Sequence, residues 1–128
     1  MGVSVRIIIE TIPHEDQRYP TVGDWLFTGD VLQITVSDMQ NDKYAFLVGI
    51  HEAVEAFLCR DRGIKEEDVS AFDTWFESRR PEGNTDEPGD DINAPYRKEH
   101  FTATNIERLI ASELGVDWSK YDHVVSSL

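Results

Sequence analysis

Two segments place histidine and glutamate where side chains on a helix can act together: Ile50-His51-Glu52-Ala53-Val54-Glu55 and His100-Phe101-Thr102-Ala103-Thr104-Asn105-Ile106-Glu107. In the first, His51 and Glu55 stand one helical turn apart and project the same way. Tyr44, Val48 and Leu58 extend that stripe, and on the second segment His100 and Glu107 share a stripe with Tyr96, Ala103, Ile110 and Leu114. Apolar neighbours on both stripes imply burial. Buried ionisable groups cost several kcal/mol unless they pair or bind a cation.

A divalent metal is one solution. Imidazole and carboxylate are ligands for zinc, iron or manganese, and an i, i+4 pair offers the bite for two of them. The expected ligands are His51, Glu55 and His100, with Glu107 as a fourth ligand or as support for one of the others. Three protein ligands leave a position for water, whose pKa a bound metal lowers to about 7. Glu52 lies about a third of a turn round the helix, among Ala45, Gly49 and Ala56, and would be free to take the proton. The expected cofactor is a divalent metal, zinc first.

Blander roles compete with this chemistry. His51 could be a core histidine bonded to Glu55, or ion-paired to Arg97 or Arg108. Glu52 could be an acid lying between small residues. Cys59 reads as inert packing, His14 and His123 as surface residues, and Trp25, Phe27, Trp75, Phe76 and Trp118 as core. Aligned on Gly89, a calcium-binding loop from Asn84 to Pro95 would put Pro88 at a ligand position, so that template fails. The acidic stretch is expected to be a solvated loop, with Asp91 or Asn93 as a helix cap and room to overhang the pocket.

These residues need elements to hold them. Val3 to Ile12, with its Ile7-Ile8-Ile9 run, predicts a strand buried on at least one face. Asp24 to Phe27 and Val31 to Val36 predict a hairpin around Gly29-Asp30. Helices are expected over about residues 43–60, capped by Asp42, then 66–79, 95–114 from Pro95, and 118–125 capped by Asp117. Strands first and helices after predict an α+β fold: a small antiparallel N-terminal sheet packed against three or four helices, in one domain over residues 1–128.

Composition narrows the function classes. The chain has 128 residues, 25 acids against 12 bases and a formal net charge of -13, which repels phosphate backbones and anionic lipid. Neither nucleic-acid nor membrane binding is expected; a basic protein partner or a small ligand is. One cysteine, no apolar run of spanning length, and Arg6 where an acylation motif at Gly2 needs Ser or Thr together predict a cytoplasmic protein.

The strand Val31 to Val36, the polar turn and the helix carrying His51-Glu52-x-x-Glu55 resemble the small zincin-like metallopeptidase core over about Val31 to Leu58. In that family one helix supplies two ligands and the base, and a later helix the third. The resemblance implies metal on His51 and Glu55, with His100 or Glu107 as the later ligand. Position 55 is glutamate where the family has histidine. The whole chain also resembles small uncharacterised proteins encoded by phages and prophages, through RYPTVGDW, VSDM, HEAVEAFLCRDRGI, DEPGDD and PYRKEHFTATNIER.

The leading expectation is a zincin-like metal-dependent hydrolase. The second is a non-enzymatic phage accessory protein that binds a host protein or sequesters a ligand; an anionic ligand would need Arg79, Arg80, Arg97 and Arg108 at one pocket. The third is a magnesium-dependent nucleotide pyrophosphohydrolase, of whose paired motifs only Glu52-x-x-Glu55 is present.

Overall fold

The computed structural model describes residues 5–128. The expected strand start at Val3 and the Gly2 reading lie outside them. The isoleucine run forms β1 (Arg6–Ile12), followed by β2 (Gly23–Thr28) and β3 (Val31–Ser37). Thr28 faces Val31 across the hairpin, and Gly29 takes φ 62° at the first loop position. Two-residue hairpins need that positive φ to match strand twist. On β3 the alternate residues Leu32, Ile34 and Val36 are wholly buried, so one face of the central strand makes the sheet's share of the core.

The sheet is mixed, not antiparallel throughout as the sequence pattern suggests. Strand order is β1-β3-β2, with β1 parallel to β3 and β2 antiparallel to it. The cause is the connection over residues 13–22, which carries the chain from one sheet edge to the other and leaves the middle place for β3. That connection is pinned. Arg18 donates two hydrogen bonds to Asp24, at 2.7 and 2.9 Å, and the Gln17 amide donates to the Val22 and Thr35 carbonyls. His14 is half-buried, its Nδ1 2.8 Å from Ser37 Oγ, not a free surface residue.

Four helices follow: α1 (Asp42–Asp61), α2 (Glu66–Ser78), α3 (Arg97–Glu113) and α4 (Trp118–Ser126). The architecture is therefore α+β. Asn41, not Asp42, caps α1 by accepting from the Tyr44 amide, because the helix begins one residue earlier than expected. Pro95 sits in the turn before α3, and Asp117 caps α4 as expected. α1 packs between the sheet and α3. Gly49 makes the sheet contact close: a Cβ there would lie 2.8 Å from the Ile9 side chain. Not all of α1 is covered, since Phe46 and Phe57 remain partly exposed. Trp75 is 47% exposed beneath the Arg79 guanidinium, so it is not a core residue. Among the described residues no helix is long and apolar enough to cross a membrane.

Candidate metal centre

α1 and α3 turn their polar stripes toward each other. His51, Glu52 and Glu55 come from α1, and His100 and Glu107 from α3; all five are buried. They line one wall of a cavity of about 360 Å³, closed elsewhere by β2 at Gly23 to Trp25, by α2 at Asp73 and by the loop around Glu87. Helical spacing does the positioning, because one turn separates His51 from Glu55 and about two turns separate His100 from Glu107.

Three atoms form a tight triangle. Nε2 of His51 lies 3.2 Å from Nδ1 of His100 and 3.2 Å from Oε2 of Glu55, and Nδ1 of His100 lies 2.9 Å from the same oxygen. Tetrahedral zinc, with bonds of about 2.0–2.1 Å, sets its ligand atoms about 3.3–3.4 Å apart. The spacing fits one small cation with little adjustment.

Two of the three ligands are held from behind. Oε1 of Glu55 accepts a 3.0 Å bond from the Trp25 indole N–H, which leaves Oε2 for the imidazoles. Nδ1 of His51 meets Oε1 of Glu107 at 2.8 Å, and Tyr121 donates to Oε2 of Glu107 at 2.5 Å. Glu107 thus stands behind the His51 ring rather than at the triangle, the place of a carboxylate that orients a metal-bound histidine. Arg97 and Arg108 are not partners of this group; Arg108 lies over the Trp118 ring.

Glu52 is different. Among the described residues no side chain hydrogen-bonds its carboxylate, which packs over Gly23 and lines the same cavity. Burial, then the charge of Glu55, pushes its pKa well above the carboxylate range. Burial also opposes ionising Glu55, but hydrogen bonds from His100 and His51 outweigh it and bring that group down to about 2. Burial likewise disfavours charge on both imidazoles. The carboxylates win: Glu107 and Glu55 raise His51, and Asp90, Glu55 and Glu87 raise His100.

Protons therefore hold the metal-free triangle. The two ring nitrogens face each other at 3.2 Å and share one carboxylate oxygen. One divalent cation at the centre would replace the protons between them and turn that crowding into common coordination.

Comparison with protein-family models, curated proteins and solved structures finds no match to this chain. What the centre does has to be read from its geometry.

Several participants escape sequence reasoning. Tyr121 is read there only as part of a short last helix, and Trp25 only as core. Asp73 is buried with Tyr19 donating to one oxygen at 2.9 Å and Tyr96 to the other; burial raises its pKa to about 7. Glu87 and Asp90 approach His100 from the acidic loop. The usable signal is Pro88-Gly89, a tight turn that sets the two acids on its flanks. Cys59 is buried and its thiol is pushed up to about 12 by burial, as inert packing requires.

Proposed function

We propose that this chain is a divalent-metal protein of the hydrolase type, with zinc on His51, Glu55 and His100. The observation that carries the reading is the His51–Glu55–His100 triangle, backed by Glu107 and open to a cavity. Two nitrogens and one oxygen suit zinc, and three protein ligands leave a coordination position for water. Such a metal supplies Lewis acidity and a water ionising near neutrality.

The chain's own residues do the rest. Glu55 and His100 orient the site from two helices, and Glu107 fixes the His51 ring so that Nε2 faces inward. Glu52 takes the proton from water. Burial raises the Glu52 pKa in the metal-free chain, and a divalent cation beside it would lower that pKa toward the range of a base. A zincin-like arrangement and a cytoplasmic setting belong to this proposal; the lone free thiol fits a reducing compartment.

Nucleotide chemistry is a poorer fit. Among the described residues Arg80 is the arginine that lines the cavity, and its guanidinium is taken up by Glu77 and Asn84. The wall also carries Glu55, Glu87 and Glu107, and among the described residues no lysine lines it, so a phosphate finds no free guanidinium or ammonium there. Neutral or basic peptides are the better substrates.

The test compares wild type with Glu52→Gln on a fluorogenic mixed-peptide library after zinc loading. Glu52→Gln is expected to keep its zinc and lose hydrolysis by about 10²-fold or more. Equal cleavage by the two proteins, or none by either, contradicts the hydrolase assignment.

A further inference from the structure

His100 has a second nitrogen, and its surroundings are built. Nε2 lies 2.8 Å from Oε2 of Glu87 and 3.4 Å from Oδ1 of Asp90. Neither oxygen lies where the ring N–H can bond it, so Nε2 is buried without a hydrogen-bond partner on a side chain only 7% exposed. The three residues offer ligand atoms within 4.8 Å of one another.

The loop is shaped to produce this approach. Pro88–Asp90 forms a single 3-10 turn, with the Asp90 amide bonded to the Glu87 carbonyl at 3.1 Å. Gly89 lies flat against the imidazole: a Cβ there would collide with Cγ and Nδ1 of His100. Only glycine lets the backbone come so near, and that contact brings the flanking acids to the ring edge.

We propose that Glu87, Asp90 and Nε2 of His100 form a second divalent-cation site, across the ring from the Glu55 triangle. One nitrogen and two carboxylates, with Glu87 and Asp90 side chains 46% and 64% exposed, leave coordination positions for water and suit Zn²⁺ or Mn²⁺. The site's ligands do not depend on the function proposed above; its role as neighbour to an inner metal does. With a cation on each edge, the His100 ring gives up its remaining N–H proton to solvent. Glu87, Pro88 and Gly89 also line the cavity, so the outer cation ties the cavity rim to α3.

The experiment is equilibrium dialysis of the untagged chain against Zn²⁺, with elemental analysis and calorimetry. It uses wild type, Glu87→Gln/Asp90→Asn and His51→Ala/Glu55→Gln. Glu87 and Asp90 lie outside the core, and circular dichroism verifies that the loop variant keeps its fold. Two equivalents are expected for wild type and one for each double variant. Binding by the loop variant equal to wild type, at one or two equivalents, overturns the second site and leaves the inner centre standing. A single equivalent lost only in the loop variant supports the second site and removes the inner centre. No bound zinc in wild type removes both.

Discussion

Nδ1 of His51 lies 2.8 Å from Oε1 of Glu107, with the Tyr121 hydroxyl on that carboxylate's other oxygen at 2.5 Å. A residue of α4 thus controls which way an α1 imidazole faces. Partners behind a metal-bound histidine are worth about 10- to 100-fold in affinity. Glu107→Gln should therefore weaken zinc binding by about that factor, and Tyr121→Phe by less. Competition with a chromogenic chelator measures both, and an unchanged affinity in Glu107→Gln would contradict the arrangement.

The metal-free protein should lose stability as pH rises. His51 and His100 are held above the ordinary 6.5 by their carboxylate partners despite burial, so the stability they confer is complete below about 6.5 and fades above it. Burial raises Glu52, and it raises Asp73 to about 7, so both favour the folded state when protonated and lose that contribution as pH climbs. Glu55, lowered to about 2, works in the opposite sense, but its contribution is complete above the ordinary 4.5. With chelator present, the urea midpoint should peak near about pH 5 and fall toward about pH 8. Zinc should stabilise more as pH rises, because its ligands must lose protons. A chelated midpoint that stays flat or climbs over that range would refute this balance.

Asp73 joins three parts of the chain: Tyr19 in the β1–β2 connection, α2, and Tyr96 at the start of α3. Tyr96→Phe leaves one carboxylate oxygen buried without its donor, a loss of about 1–3 kcal/mol. Urea denaturation should show that loss while zinc stoichiometry stays at the wild-type value. A fall in stoichiometry would mean that Asp73 belongs to the centre itself.

Gly23 gives Glu52 its room. A Cβ at that position would lie 2.6 Å from Glu52 Oε1 and 2.7 Å from Val48 Cγ1. Gly23→Ala should cost about 1–3 kcal/mol by overpacking and displace the carboxylate. Zinc should still bind, while peptide cleavage drops with that of Glu52→Gln. Full activity in Gly23→Ala would separate Glu52 from the chemistry.

Helical periodicity makes α1 and α3 readable, and with them the stripes of His51, Glu55, His100 and Glu107. Side-chain spacing reports which residues share a face of one helix, though not how far apart two such faces lie. Pairing direction is another matter. The parallel register of β1 with β3 depends on a connection whose anchors, Arg18 to Asp24 and Gln17 to Thr35, leave no periodic pattern in the chain. Glu87 and Asp90 are hidden for a related reason: their position rests on Gly89 meeting His100 across the fold. Which nitrogen of the His51 ring Glu107 takes is also invisible, since periodicity gives the direction of a side chain but not the atom it reaches.

The most direct measurement is the zinc content of the untagged chain, determined by elemental analysis alongside its His51→Ala variant. Bound zinc at one equivalent or more in wild type, reduced by one in His51→Ala, is the predicted result. A chain that takes up no zinc, with His51→Ala as stable as wild type, would contradict the metal centre.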